Sequence, residues 1–224
     1  MAYLIFIAVT IISWLAQRNI TSKFKKYSAI PLGNGMTGRD VAAAMLRAHN
    51  VAGVKIGSVA GELTDHYNPT NLTLNLSQPV YGANSVAAAA VAAHECGHAV
   101  QHATGYSMLR LRSSLVPAVN FASKWMPWVL LAGILLLELT PIPLEIGIAL
   151  FACTTLFSLV TLPVEVDASR RATRWLEGAG IVRGQELEGA KDALHAAAYT
   201  YVAAALGSLA TLAYYVMMFI MRRD

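Results

Sequence analysis

The sequence predicts a mainly α-helical membrane protein, with about four membrane helices and one small α+β domain in water. Two observations support this prediction. Hydrophobic residues make up 56% of the 224-residue chain and charged residues 13%, whereas soluble domains have about 45 to 50% and about 25%. The apolar residues are also gathered into long runs with very few charges, as they are in helices that cross a bilayer.

The first membrane helix is predicted over residues 1–17. Basic residues follow its apolar run instead of preceding it, and no small-residue cleavage site comes after it, which is not the order of a secretory signal. We therefore expect a retained span. Because the run is short for a span, we also expect further residues upstream of Met1.

Two later regions predict further membrane helices. Residues 125–162 hold two apolar runs separated by the turn residues 140–143, which predicts a hairpin that either spans or re-enters the bilayer. Residues 194–221 carry no formal charge and are rich in Ala, Gly and Ser. Such small residues allow close contacts between helices, so this region predicts the last transmembrane helix.

Residues 28–120 have a different character, with Gly, Asn, Asp and Thr between short periodic segments. They predict a helix capped by Thr37, a strand over residues 54–59, and two strands joined by a turn in LTDHYNPTNLTLNLS. Leucines at positions 72, 74 and 76 alternate with polar residues, so the second of these two strands has one buried face. Asn84 or Ser85 then caps an Ala-rich helix that is apolar on nearly every side and therefore buried.

That buried helix contains the segment HECGH, which predicts a zinc site. His94 and His98 lie on one helix face with Cβ atoms about 5 to 6 Å apart, so both imidazoles can bind one Zn2+ ion at about 2.0 to 2.1 Å. Glu95 projects about 100° away, where its carboxylate can take a proton from a water activated by the metal. The prediction is a zincin-like domain with Glu95 as general base.

A catalytic zinc site needs a third protein ligand, and the sequence offers two acids in LPVEVDASRRA. Glu165 is preferred, on a predicted helix over residues 163–192 that begins at Pro163 and is broken by glycines at 178 and 180. Asp167 is the runner-up, because Arg171 at i+4 gives it an ordinary salt bridge. We expect Asp167 to orient Arg171 or a histidine.

Three other features have weaker functional interpretations. His66 and Tyr67 could donate hydrogen bonds to a developing oxyanion, but they equally suit a strand beside a turn. His102 continues the four-residue spacing, yet it lies about 12 Å along the helix from His94 and cannot bind the same ion. The segment from Leu109 to Arg112 predicts an interfacial stretch that holds the domain to the bilayer.

The distribution of basic residues predicts the orientation in the membrane. Ten of them lie between Arg18 and Lys124 and five between Arg170 and Lys191, while the turn in the 140s has none. The positive-inside rule therefore places residues 28–120 and 163–192 in the cytoplasm. Two basic residues, at 222 and 223, then lie outside and count against this topology. No basic and aromatic residues alternate as nucleic-acid binding requires, and neither Cys96 nor Cys153 suggests a disulfide.

Several segments in one order resemble the bacterial neutral zinc metallopeptidases of the membrane, the YugP-like family. They are FKKYS, LTDHYNP, AAHECGHAVQHATGY, LRSSLVP, LPVEVDASRRA and TYVAAAL. The resemblance implies a multi-pass, gluzincin-type zinc peptidase of the bacterial cytoplasmic membrane, acting on protein or peptide substrates. In more distant relatives, the heat-shock and CAAX-processing membrane proteases, a Glu ligand is often followed four residues later by Asp. Here Ser169 has that position.

The sequence leaves three functions open. The first is an endopeptidase acting on membrane or membrane-proximal proteins, with substrate added as a strand beside residues 72–76. The second is a membrane scaffold or assembly factor whose zinc is structural, which requires four protein ligands. The third is a hydrolase of a non-peptide amide, which the same zinc chemistry permits.

Overall fold

Residues 2–221 are described by a computed structural model. Arg222 and Arg223, which count against the predicted topology, lie outside the described residues. Within them the chain forms seven helices and three strands. These are α1 (Ala2–Ser28), α2 (Gly38–Ala48), β1 (Lys55–Val59), β2 (His66–Asn68), β3 (Thr73–Ser77), α3 (Gln78–Tyr81), α4 (Val86–Ala103), α5 (Ser107–Leu135), α6 (Ile142–Gly178) and α7 (Gln185–Ile220).

Four of the described helices are long and apolar enough to cross a membrane: α1, α5, α6 and α7. Most of the large hydrophobic side chains that remain exposed lie on these helices, among them Trp14, Trp128, Leu135 and Leu206. Apolar surface of this extent is characteristic of a protein that faces lipid. The prediction of a mainly helical protein with four candidate membrane helices is confirmed.

The helix bounds differ from the predicted ones. Helix α1 runs on through the basic residues to Ser28, and α5 already begins at Ser107. The separate helix predicted over residues 163–192 is absent, because α6 passes through Pro163 without ending and the break comes at residues 179–184. Long membrane helices tolerate an internal proline because neighbouring groups satisfy the freed backbone carbonyl.

The three strands form one sheet in the order β1-β3-β2, with β1 parallel and β2 antiparallel to β3. Leu74 and Leu76 are fully buried, as predicted, but Leu72 is 36% exposed and precedes the strand with φ 52°. Because β3 is the central strand, both of its edges are already paired. The prediction that substrate adds as a strand beside residues 72–76 is therefore wrong.

Helix α4 lies at the centre of the part of the molecule that contains the sheet. Ser85 caps it by accepting a hydrogen bond from the Ala88 amide, and α2 begins with a capping box between Thr37 and Asp40. The hydrophobic core joins α4 to α2, to the sheet and to the adjacent ends of α6 and α7. Its fully buried members include Val41, Met45, Leu74, Leu76, Ala89, Ala93, Cys96, Ala172 and Leu176.

Two antiparallel helix pairs form the membrane part. In the α5–α6 hairpin, a Cβ on Gly133 would lie 2.6 Å from Leu144 Cα, so this glycine allows close packing near the turn. In the α1–α7 pair, Phe6 packs edge-on against Tyr214 with ring centroids 5.5 Å apart, and Asp192 binds the hydroxyl of Tyr27 at the other end. These pairings bring the end of α1, the second half of α6 and the start of α7 to the end of the molecule that contains the sheet.

Candidate metal centre

Three potential metal ligands converge where α4 meets α6. The Nε2 atoms of His94 and His98 lie 3.2 Å and 3.5 Å from Oε2 of Glu165. The ligand atoms of all three residues lie within 4.8 Å of one another. Glu165 is only 2% exposed and His98 8% exposed. The structure therefore brings together the two histidines and the preferred acid of the sequence analysis, although these residues are 71 positions apart.

Close contact between the two helices makes this convergence possible. A Cβ on Gly97 would lie 2.7 Å from the carbonyl oxygen of Ala168 and 3.0 Å from its Cα. Only glycine fits between the backbones at this distance. Ala168 and Ala172 are fully buried on α6. Because a glycine on one helix faces small residues on the other, the Glu165 carboxylate reaches the imidazole pair.

The donor set fits zinc. Two imidazole nitrogens and one carboxylate oxygen are the ligands of one class of catalytic zinc site. With metal–ligand bonds of about 2.0 to 2.1 Å, tetrahedral geometry separates neighbouring ligand atoms by about 3.4 Å. The two imidazole–carboxylate distances lie on either side of that value. Among the described residues, the cluster contains three such ligands and no fourth His, Cys, Asp or Glu.

Hydrogen bonds to the other ring nitrogens orient both imidazoles. Nδ1 of His98 lies 3.0 Å from Oε1 of Gln101, whose amide nitrogen donates to the Val164 carbonyl and to Asp167 at 2.8 Å each. Nδ1 of His94 lies 3.1 Å from the hydroxyl of Ser169. Such partners fix the tautomer and direction of a metal-binding imidazole. Each Nε2 atom is therefore held facing Glu165.

Asp167, the runner-up ligand, is not in the cluster. Its Oδ2 accepts hydrogen bonds from Arg171 Nε, at 2.6 Å, and from Gln101. The expected i, i+4 pair with Arg171 is present, and Asp167 acts on His98 only through Gln101. Gln101 was not among the predicted site residues, although its place three positions after His98 on a buried helix was the available signal.

The site attracts positive charge. Burial alone would lower the pKa of His98, but the neighbouring carboxylates of Glu165 and Glu95 outweigh it and raise that pKa above its usual value. The same negative charge would favour a divalent cation held by the three ligands.

A cavity of about 270 Å³ opens beside His98 and Glu165, two of the three ligands. Glu95 lies on its wall and is 8% exposed, so its carboxylate is adjacent to the ligands but outside the cluster. A carboxylate on the cavity wall can accept a proton from a water molecule in the cavity. The cavity is lined by Asp65, His66, Tyr67, Pro69, Glu95, His98, Leu109, Arg112, Ser113, Glu165 and Tyr201.

Arg112 is a cavity residue that the sequence analysis placed at the membrane surface instead. Its Nη2 lies 3.9 Å from Oε1 of Glu165, and its guanidinium lies 5.8 Å from the ring centroid of Phe157. Its Nε is buried and has no hydrogen-bond partner among the described residues. The signal for this position was helical spacing, because Leu109, Arg112 and Ser113 share one face of α5.

The two predicted oxyanion donors both lie on the cavity wall but are already engaged. His66 Nδ1 contacts the Thr64 carbonyl at 2.8 Å and its Nε2 lies 3.1 Å from the Asn75 amide nitrogen. Its predicted role would require one of these bonds to break. The hydroxyl of Tyr67 lies 2.9 Å from Nδ1 of His102, which is exposed and outside the cluster. Burial raises the pKa of Tyr67, so its hydroxyl keeps its proton.

Comparison with known proteins identifies the class to which this site belongs. The family described as "Putative neutral zinc metallopeptidase" matches residues 2–220, and the chain belongs to this family. The chain is similar to the "Putative membrane protease YugP" of Bacillus subtilis (strain 168), with 44% identity over 225 residues and 99% of each chain covered. The family resemblance is confirmed. No solved structure matches the chain.

Proposed function

We propose that this protein is a membrane-embedded zinc endopeptidase that hydrolyses peptide bonds of membrane or membrane-proximal proteins. The observation that supports this proposal most strongly is the convergence of His94, His98 and Glu165 beside a cavity that also contains Glu95. Membership of a metallopeptidase family and the four apolar helices support it independently.

The roles of the residues follow from their positions. His94, His98 and Glu165 would hold the metal. When bound, zinc would polarise a peptide carbonyl and make a nearby water more acidic. Glu95 takes the proton from the attacking water and delivers it to the nitrogen of the breaking peptide bond, so that a carboxylic acid and an amine are formed.

Arg112 supplies a hydrogen-bond donor in the same cavity. The Arg112 side chain is 34% exposed and lines the cavity, so its guanidinium can donate to the carbonyl oxygen of a peptide bound there. We therefore assign Arg112 to binding and polarising the substrate carbonyl.

The proposed orientation places the zincin-like part, residues 28–120, in the cytoplasm. The support comes from the positive-inside rule, because the α5–α6 turn carries no basic residue and lies at the opposite end of the molecule from the sheet. A cysteine introduced at Leu139, which is 83% exposed in that turn, should react with an impermeant reagent added to whole cells. Labelling only after lysis would contradict the orientation.

The decisive test of the proposed activity is Glu95→Gln in the zinc-loaded protein. Loss of the general base should lower peptide hydrolysis by about 10²- to 10⁴-fold while zinc stays bound. Metal content by elemental analysis and cleavage of a quenched peptide library measure the two effects separately. Glu62→Gln, the same change at an exposed acid outside the cavity, is the matched control and should keep full activity. Undiminished cleavage by the Glu95 variant would refute the proposal.

The alternative of a structural zinc site has less support. Structural zinc sites use four protein ligands, whereas three converge among the described residues. Glu95 would then have no chemical task. If the protein were a scaffold, Glu95→Gln would leave its cellular function intact even though no proteolysis is detected.

A further inference from the structure

A second cavity, of about 400 Å³, lies in the groove between α6 and α7, separate from the metal cavity. We call it the arginine groove. Two arginines and a histidine lie on its walls, and the apolar side chains of Val166 and Ala198 form part of its lining. The full set of lining residues is Val166, Ser169, Arg170, Thr173, Arg174, His195 and Ala198.

The two arginines are available for a ligand. Arg170 and Arg174 are one helical turn apart on the same face of α6, and both are exposed. Neither forms a salt bridge with a described residue, whereas Arg171 between them is paired with Asp167. His195 faces them from α7 without a salt bridge to a described residue. The groove therefore concentrates positive charge that the rest of the described chain does not neutralise.

The length of α6 places this charge next to the lipid headgroups, on their outer side. Between Glu145 and Glu165, α6 has 19 residues without a formal charge, and these rise about 28 Å, close to the roughly 30 Å hydrocarbon core. Arg170 lies six residues beyond Val164, or about 9 Å further along the helix. The headgroup layer on each side is about 5 to 8 Å thick, so the backbone at Arg170 lies just outside this layer and the backbone at Arg174 about 6 Å further out.

The length of α7 independently places the groove at the same level relative to the bilayer. Residues 193–221 carry no formal charge, and their length of about 43 Å matches the roughly 40 to 45 Å of a bilayer with its headgroups. His195 lies two residues inside this segment, at its sheet-side end. Two helices that run in opposite directions thus place the groove at one membrane surface.

Side-chain direction adds to this placement. Helical side chains lean toward the N-terminus of their helix. For α6 that direction is toward the membrane, so Arg170 and Arg174 lean back toward the headgroups. For α7 it is away from the membrane, so His195 leans toward the arginines. The three basic groups therefore approach one another at the surface of the bilayer.

We propose that the arginine groove binds the phosphate of an anionic membrane lipid. Guanidinium groups bind phosphate through paired hydrogen bonds, and basic pockets between membrane helices suit lipid headgroups. The apolar part of the lining and the position of the groove next to the membrane favour a lipid over free phosphate, because the glycerol and acyl chains then continue along α6 and α7. This binding does not depend on the proposed peptidase activity.

The test is lipid binding by the full-length protein in a neutral detergent, measured by native mass spectrometry during titration with dioctanoyl phosphatidylglycerol. The double variant Arg170→Gln, Arg174→Gln should bind this lipid at least about 10-fold more weakly than the wild type, each arginine near a lipid surface contributing roughly fivefold. Arg170→Lys, Arg174→Lys keeps both charges and should lose no more than about threefold. Dioctanoyl phosphatidylcholine should bind weakly to all forms.

The matched control removes the same charge elsewhere. Arg39→Gln, Arg47→Gln changes two exposed arginines on α2, which lies outside the groove, and should bind phosphatidylglycerol as the wild type does. Equal losses in both double variants would show a nonspecific effect of net charge and overturn the proposal. Equal binding of the two lipids, or inorganic phosphate competing at the same concentration as phosphatidylglycerol, would overturn it as well.

Discussion

Helices α4 and α6 meet at the metal centre but reach it in different ways. Helix α4 has 18 residues and is buried among α2, the sheet and α6. Helix α6 has 37 residues and starts on the opposite side of the membrane part, and its contribution to the site begins only at Val164. One helix belongs to the core around the sheet, and the other connects that core to the apolar helices that could cross a membrane.

This difference shows which parts of the fold determine the geometry of the site. The spacing of His94 and His98 is set within one helix by its 3.6-residue period. The position of Glu165 depends on how α6 crosses α4 at Gly97 and Ala168. The imidazole pair is thus a local property of α4, whereas the complete three-ligand centre is a property of the tertiary fold.

The largest expected effect comes from removing the ligand that α6 supplies. Glu165→Gln deletes the carboxylate charge but keeps the shape of the side chain. Loss of groups that merely orient ligands typically costs 10- to 100-fold in metal affinity, so loss of a ligand should cost more than about 100-fold. Competition with a chromophoric chelator measures the zinc dissociation constant.

Glu177→Gln is the control for this prediction, because Glu177 lies on the same helix and its salt bridge with Lys191 is exposed. Its zinc affinity should equal that of the wild type. Wild-type affinity in the Glu165 variant would show that α6 contributes no ligand, and the distinction between the two helices would then disappear.

The same distinction explains how much of the molecule could be predicted from its sequence. The capped α4, the histidine pair and the strands around Asn68 follow from local periodicity and turn chemistry, and the structure has them. Glu165 could be selected from two acids because small residues on its face suggested a helix crossing. The proposed roles of these residues in catalysis stay predictions.

What could not be predicted depends on tertiary context. Pro163 suggested the start of a helix, but in α6 it is internal, because membrane helices tolerate proline. Sequence cannot show that β3 is the central strand, since strand order arises from pairing between distant segments. Arg112 was predicted to lie at the bilayer surface. Its contact with Glu165 joins α5 to α6, and such a contact between distant segments is not visible in the sequence.

A smaller effect is expected from Arg112→Gln, which tests whether the end of α5 near the site takes part in substrate binding. Removing the charged donor should lower kcat/KM by about 10- to 100-fold, the cost of a hydrogen bond to a charged group. Zinc affinity should stay within about threefold of the wild type, because Arg112 is not a ligand. Arg112→Lys should recover part of the activity, and Arg47→Gln, on α2, should lose none. A fall in zinc affinity equal to the fall in kcat/KM would assign Arg112 to metal binding instead.

The smallest effect concerns the crossing itself, and two glycines provide a matched pair. Gly97→Ala places a methyl group against the Ala168 backbone. Because the contacted atoms are backbone, α4 and α6 have to move apart to make room. Overpacking of this kind costs about 1 to 3 kcal/mol in the free energy of unfolding. It should also weaken zinc binding by up to about 10-fold, because Glu165 moves with α6.

Gly178→Ala adds the same methyl group at the end of α6, where no atom lies within 4 Å. This change should be neutral or stabilise the helix by up to about 1 kcal/mol. Denaturant titration in detergent and the chelator assay measure both variants side by side. If Gly97→Ala behaves like Gly178→Ala in both assays, the close approach of α4 and α6 does not position the carboxylate. If it lowers stability but leaves zinc affinity unchanged, the crossing supports the fold without setting the geometry of the centre.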